Sequence, residues 1–226
     1  LFELTVPSTE KKVKYRPFTV KEEKILLIAQ ESKDIDQVIL AIKQIISNCF
    51  ENIDIDKLAM FDLEYMLIKL RSVSVGNEIT LSFRDEETDE LVELTFNTDE
   101  IELIKNKDHN KMIKADDNVS IIMGYPKIDD LKIVSEDLNE AERTEKMLNV
   151  MMGCIESVVN GDEVYQLKDF SESEVTQFIE SLSTGTMTKI KNFFETVPIV
   201  KMEKKYKLKN GKEKTFVLEG TEAFFT

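Results

Sequence analysis

Two periods of apolar and polar residues follow one another along this chain, and the points where the period changes mark out its parts. From Val20 to Ser72 apolar residues recur every three or four positions. The clearest run is Ile35, Val38, Ile39, Ile42, Ile45, Ile46 and Cys49, which predicts a helix capped by Asp34 or Asp36. Thr19, with Glu22 and Glu23 following, predicts an earlier helix over Val20–Ser32, with Ile25, Leu26, Ile28 and Ala29 as its apolar face. Leu58, Phe61, Leu63, Tyr65, Met66, Leu67 and Leu70 predict a third over Asp56–Ser72. Short connections between such helices predict a small bundle. At Gly76 the period drops to two. Ile79, Leu81 and Phe83 alternate with Thr80 and Ser82, then Val92, Leu94 and Phe96 alternate with polar neighbours, with acidic Asp85–Asp89 as the turn. Ile101–Ile104 and Val119–Met123 complete a predicted antiparallel sheet inserted between helical parts.

Helical spacing resumes near Ser135. Met147, Leu148, Val150, Met151, Cys154, Ile155 and Val158 predict a helix that stops at Asn160–Gly161. Ser171 and Glu174 form a capping box for a helix carrying Val175, Phe178, Ile179 and Leu182, and Met187–Thr196 predicts another. Both ends return to strand character. Phe2–Val6 and Val13–Arg16 predict a hairpin or loose arm, and Val200–Leu208 and Glu213–Leu218 around Asn210–Gly211 predict a terminal hairpin. If that turn sets the register, Met202, Tyr206, Leu208, Thr215 and Val217 share one face, and Lys205, Lys207 and Lys214 lie beside Phe216 on the other. A two-stranded ribbon is marginal alone, so the hairpin must dock on its own chain or on a partner. The predicted fold is α+β: an N-terminal helical bundle over residues 1–75, a small antiparallel β-sheet insert over 76–133, and C-terminal helices ending in a β-hairpin over 134–226.

Charge and chemistry narrow the function. A net charge of −14 argues against general affinity for nucleic acid or anionic lipid, because phosphates would be repelled by most of the surface. The charge is uneven, however. Lys11–Arg16 and Lys201–Lys214 are basic, while Asp85–Glu90 and Glu136–Glu145 are acidic, so basic stretches can meet acidic ones within one chain or between neighbours. Cys49 and Cys154 are isolated and read as buried apolar residues of a reducing, intracellular compartment. The single histidine, His109, sits in a polar stretch and reads as a solvated loop residue. There is no phosphate-binding loop, dinucleotide-binding turn or nucleophile elbow, and no apolar run approaches the roughly 18 residues of a membrane helix. No catalytic, cofactor or metal site is therefore predicted, and the expected work is the binding of other protein subunits. Rival readings are a hydrolase using clustered carboxylates near His109 and a nucleic-acid module using the lysine-rich hairpin.

The run Tyr15-Arg16-Pro17-Phe18-Thr19-Val20-Lys21-Glu22-Glu23-Lys24, followed by apolar Ile25–Ala29, resembles the opening signature of the baseplate protein family of T-even-type bacteriophages. Leu70-Arg71-Ser72-Val73-Ser74-Val75-Gly76 and Met123-Gly124-Tyr125-Pro126 look like the same family, and the resemblance runs from Val13 to about Val159. It implies a baseplate hub subunit or hub assembly factor with other baseplate or tail proteins as partners. Such a protein works in the host cytoplasm during assembly, and lies in the virion tail if retained or acts as a transient chaperone if not. Homo-oligomerisation is left open. The resemblance implies no catalytic residue and no cofactor; cysteine pairs that some relatives place near the positions of Asp85 and Glu90 are absent. The candidate partner-binding residues are Tyr15, Arg16 and Phe18 in the signature, Lys205, Tyr206, Lys207 and Phe216 in the hairpin, and Phe224 and Phe225 at the end. Removing Val200–Thr226 is expected to leave a folded protein that no longer assembles.

Overall fold

The computed structural model describes residues 1–32, 34–132 and 138–219. Strands β1 (Phe2–Thr5) and β2 (Lys12–Tyr15) precede helices α1 (Val20–Ser32), α2 (Ile35–Cys49) and α3 (Met60–Ser74), and β3 (Glu78–Arg84), β4 (Leu91–Asn97) and β5 (Glu102–Ile104) follow. Then come β6 (Met112–Lys114), β7 (Val119–Met123), α4 (Glu140–Gly153), β8 (Ile155–Asn160), β9 (Glu163–Gln166), α5 (Glu172–Ser181) and α6 (Thr184–Glu195). Strands β10 (Ile199–Lys207) and β11 (Glu213–Glu219) close the described chain. There are two compact units, Leu1–Ile104 with Pro198–Thr226, and Lys105–Val197.

In the first unit the local periods explain each element but not their assembly. Helix α2 is one-sided: Ile39, Ile42, Ile45, Ile46 and Cys49 are buried, while Asp36, Gln37, Leu40 and Gln44 face water. Helix α3 buries Leu63, Met66, Leu67 and Leu70 on one side and Phe61 and Ile68 on the opposite side. A helix with buried apolar residues on opposite sides must be packed on more than one of them. Its first turn also buries Asp62, whose carboxylate accepts the Ser8 N–H at 2.8 Å, the Ser8 hydroxyl at 2.5 Å and the Ala59 N–H at 3.0 Å. Ser8 lies in the β1–β2 turn, so α3 and the first hairpin are fastened by hydrogen bonds that a buried carboxylate needs. Burial nevertheless outweighs those bonds and raises the Asp62 pKa. The hairpin is lengthened by the chain leaving α2, with a bridge between Tyr15 and Phe50 and the Arg16 N–H donating to the Cys49 carbonyl at 3.0 Å.

The expected N-terminal helical bundle with one sheet insert is not what the chain makes. Among the described residues, six α-helices alternate with eleven strands in four antiparallel sheets. In the first unit, β1–β2 and β3–β4 are separate hairpins, and β5 pairs with β10, which pairs with β11. The stretch 76–133 is not a single sheet: β6 and β7 pair in the second unit with β8 and β9. Local period shows that a segment is a strand, but the pairing of Leu103 with Val200 joins residues too far apart for any window to report.

The second unit has a sheet in the order β6-β7-β8-β9, packed on a core of Ile113, Ile121, Met123, Met152, Cys154, Ile155, Ile190 and Phe193. The helix expected to run to Asn160 ends at Gly153, and the strand β8 begins at Ile155. Ile155, Val158 and Val159 are β-branched and fit a pleated surface better than a helix. Asn160 pairs with Glu163, so Asn160–Gly161 opens a tight hairpin rather than closing a helix, with Gly161 at φ 60°. The start expected for that helix at Ser135 lies outside the described residues; α4 is capped by Asn139, which accepts the Glu142 N–H at 3.0 Å.

Glu64 on α3 makes the pH dependence of the first unit testable. Burial, and then the negative Glu219 at the end of β11, push its carboxyl up to about 7. Its folded pKa lies above the ordinary glutamate value, so the folded state holds the proton more tightly. Its contribution to stability falls as pH rises from about 4.5 to 7. Glu64→Gln is expected to raise stability by about 1–2 kcal/mol at pH 8 and to change little at pH 4, read by urea unfolding at both values.

Candidate interaction surfaces

The terminal hairpin docks on its own chain. Met202 pairs with Leu218, Lys204 with Phe216 and Tyr206 with Lys214, so the inward face holds Met202, Tyr206, Phe216 and Leu218. This is one residue away from the expected register. Leu208 and Lys212 close the loop, with the Leu208 N–H donating to the Lys212 carbonyl at 2.9 Å, which leaves Lys209, Asn210 and Gly211 between them instead of a two-residue turn. Gly211 has φ 86°, as the last position of such a three-residue loop requires. The extra residue turns Phe216 and Lys214 to the Tyr206 side. Phe216 then lies 4.5 Å from Phe83, ring centre to ring centre, and Tyr206 meets Phe83 edge-on at 5.6 Å.

Around these rings the basic hairpin grips the acidic turn between β3 and β4. Asp85 is buried, and its Oδ2 accepts Lys214 Nζ at 2.6 Å and the Tyr206 hydroxyl at 3.1 Å. Its Oδ1 accepts the Glu87 N–H, the Thr88 N–H and the Thr88 hydroxyl, each at 3.1 Å. Lys212 Nζ lies 2.6 Å from Glu87, the Lys209 N–H donates to Glu90 at 3.1 Å, and Lys204 Nζ donates to the Thr95 carbonyl. The Lys214 ammonium, more than any other group, holds the Asp85 carboxyl far below its usual range, and the hydrogen bond to Asp85 raises the Lys214 pKa. Basic and acidic stretches thus meet within one chain. Lys205 and Lys207 remain exposed on the outer face, with Glu203, Thr215 and Val217.

The other candidates fall in different places. Tyr15 is buried and stacked on Phe50 at 5.0 Å, and burial raises its pKa. Arg16 donates to Glu22 at 3.1 Å and to the Pro17 carbonyl at 2.9 Å. Glu22 also accepts the Thr19 N–H at 2.8 Å and the Thr19 hydroxyl at 2.6 Å, the reach-back half of a capping box. Hydrogen bonds from Arg16 and then Thr19 lower the Glu22 pKa to about 2. Phe18 is half-buried, and its N–H donates to Ser74 Oγ at 3.0 Å. The run Tyr15–Glu22 therefore builds the joint that starts α1 and ties it to the end of α3. Phe224 and Phe225 lie outside the described residues.

His109 is not a solvated loop residue. Its Nδ1 lies 2.9 Å from Thr196 Oγ1, its Nε2 lies 3.0 Å from the Tyr125 hydroxyl, and its ring is 4.8 Å from Phe193. Burial first, then Lys111, lowers its pKa, so it is a neutral tie between a loop and α6. Cys49 and Cys154 are free and buried, and burial pushes their thiols up to about 11 and about 12, which leaves almost no thiolate at neutral pH. Among the described residues no three His, Cys, Asp or Glu side chains are grouped to hold a metal ion, and no helix is long and apolar enough to cross a membrane.

Residues 1–226 match the family described as T4 bacteriophage base plate protein. The chain belongs to that family. No curated protein and no solved structure matches this baseplate protein significantly. The match takes in the whole chain and so extends beyond the stretch, Val13 to about Val159, that carries the recognisable motifs. Membership points to a structural rather than a catalytic protein, implies contact with other phage tail proteins, and fits a place in the virion tail.

For the baseplate protein the grip on Asp85 alters an expectation about truncation. Deleting Val200–Thr226 removes buried Val200, Met202, Leu208 and Leu218 and uncovers Asp85, so it dismantles the first unit instead of trimming an arm. Asp85 titrates below its ordinary value and Lys214 above its own, so their attraction is fully present from about pH 4 to pH 10. It fades as pH falls through the depressed carboxyl pKa or rises through the raised ammonium pKa. Asp85→Asn is expected to lower Tm by several degrees at pH 7, with the gap from the parent narrowing as the pH is taken below 3. An equal Tm at pH 7 contradicts the grip.

Proposed function

We propose that this baseplate protein is a hub subunit that works through contacts with neighbouring tail proteins and has no reaction of its own. The observation that carries the reading is the outer side of α1. Val20, Leu27 and Ile28 recur at the spacing of one helical face and are exposed to water, Leu27 and Ile28 by 55% and 56%. Leu40 on α2 is exposed as well. The same helix buries Leu26 and Ala29 on its inner side, so the outer leucine and isoleucine add nothing to the core. Apolar positions kept in water on a helix whose joint is built with an internal ion pair suit docking better than catalysis. The lysines of the hairpin support the reading in part: Lys212 and Lys214 serve Asp85 and Glu87, which leaves fewer cations for a nucleic-acid module.

On this reading the protein folds in the host cytoplasm, docks through α1 during hub assembly, and stays in the particle. The double variant Leu27→Lys, Ile28→Lys is expected to keep the parent circular dichroism and Tm within a few degrees, because both positions are exposed. It is also expected to be absent from purified tails, where mass spectrometry of the parent finds the chain at stoichiometric amounts. Parent chain missing from complete tails makes it a transient assembly chaperone instead, and normal incorporation of the double variant removes α1 from the argument.

A further inference from the structure

The sheet of the second unit ends in β9, and all four residues of that strand are exposed. Beside it opens a cavity of about 280 Å³. Val158 and Tyr165 line it from the sheet, Leu167 and Phe170 from the link that follows, and Val175 and Phe178 from α5. Val158 and Tyr165 are directly paired across β8 and β9, so they present one surface to α5. Tyr165 and Phe170 remain 39% and 42% exposed, and their rings sit 6.2 Å apart at the mouth. Two large apolar residues in water beside a terminal strand are more than this unit's core uses, because that core lies around Ile113, Ile121 and Phe193.

The segments that form the groove are mostly acidic, and Glu174 lines it. Between Gly161 and Ser181 the exposed charges are Asp162, Glu163, Asp169, Glu172, Glu174 and Glu180 against Lys168 alone. Glu174 is already used, accepting the Ser171 N–H at 2.9 Å and hydroxyl at 2.7 Å, which lowers its pKa and keeps it negative. An apolar slot, a terminal strand and an acidic rim together select a ligand that is extended, apolar at one point and positively charged around it.

We propose that this groove receives an extended cationic segment of another tail protein, which pairs its main chain with β9 and seats one apolar side chain between Phe170 and Phe178. The inference rests on the reading of the chain as a contact protein and names the kind of partner for a second surface. A second copy of this chain does not fit the description. Its basic hairpins have their strands paired internally, Lys12 and Lys14 in β1–β2 and Lys205 and Lys207 in β10–β11, so with these side chains exposed neither hairpin is a free extended segment. The end of the sequence, Gly220–Thr226, carries Glu222 and no basic residue, so its charge is wrong for the rim.

The test uses the full chain and a labelled synthetic peptide that alternates Lys and Val around a central Phe, with binding read by fluorescence anisotropy. Saturable binding is expected, weakening as salt is raised. Phe170→Ala and Asp169→Lys, both at exposed positions, are each expected to weaken it about tenfold with unchanged circular dichroism. A peptide of the same charge interrupted by Pro is expected to bind more weakly, since Pro removes a main-chain donor from the pairing. Equal binding of a Glu-for-Lys peptide, equal binding of the Pro peptide, or indifference to both variants overturns the assignment. So does self-association of the parent that Phe170→Ala abolishes, which places a second copy in the groove. Because the peptide is read on the isolated protein, its failure rejects this groove and leaves the tail reading standing.

Discussion

No residue of helix α3 is fully exposed, and most of the first unit can be understood as what is needed to cover it. A helix of one-sided character is satisfied by neighbours close in sequence; one that buries Leu63, Met66, Leu67 and Leu70 on one side and Phe61 and Ile68 on the opposite side needs material from elsewhere. The chain supplies it from both ends. The β1–β2 turn is tied to Asp62 through Ser8, the start of α1 is tied to Ser74 through Phe18, and β10, drawn from the end of the described chain, lies against α3. Closing loops of that length has an entropic cost, but one that grows slowly with length and is offset by the apolar surface of Val200, Met202 and Leu218.

Charge completes what the apolar core begins. A buried Asp85 is tolerable only with partners, and it has them in Lys214, Tyr206 and Thr88. The same contacts fix the register of the terminal hairpin, because a slip by one residue would carry Lys214 and Phe216 to the solvent side together. An acidic chain thereby uses part of its most basic stretch internally, Lys204, Lys212 and Lys214. What it leaves outside is a set of apolar positions on α1, an acidic groove beside β9, and a surface whose net negative charge favours solubility before assembly. The docking proposed for α1 and for the groove would use these features, and the family match over the whole chain supplies the baseplate setting.

Much of the local structure was legible in the sequence. Helix α2, strands β3 and β4 with their acidic turn, the capping box at Ser171 and the terminal hairpin follow from period and turn chemistry. What was not legible depended on distance or on a single residue of register. Asn-Gly was read correctly as a turn signal at Asn210 but with a loop one residue too short, and read as a helix stop at Asn160, where it opens a hairpin. The helical spacing of Cys154, Ile155 and Val158 is equally compatible with a strand once the β-branched residues are weighed. The fate of the candidate residues shows the same limit. Charge pattern alone brought basic and acidic stretches together, but could not tell an internal grip from an interface, so Tyr206 and Phe216 turn inward while Lys205 and Lys207 stay outside. The groove beside β9 left no local signal, because Val158, Tyr165 and Phe178 become neighbours only when the sheet and α5 pack.

The claim beneath all of this is that the terminal hairpin is part of the first unit's core and not an arm held for a partner. Native-state hydrogen exchange along a denaturant series tests it most directly. The amides of β10 and β11 are predicted to exchange only through the same global opening that exposes α3, with equal free energy and equal denaturant dependence. Exchange of the hairpin through a separate, low-energy opening while α3 stays protected would contradict the account.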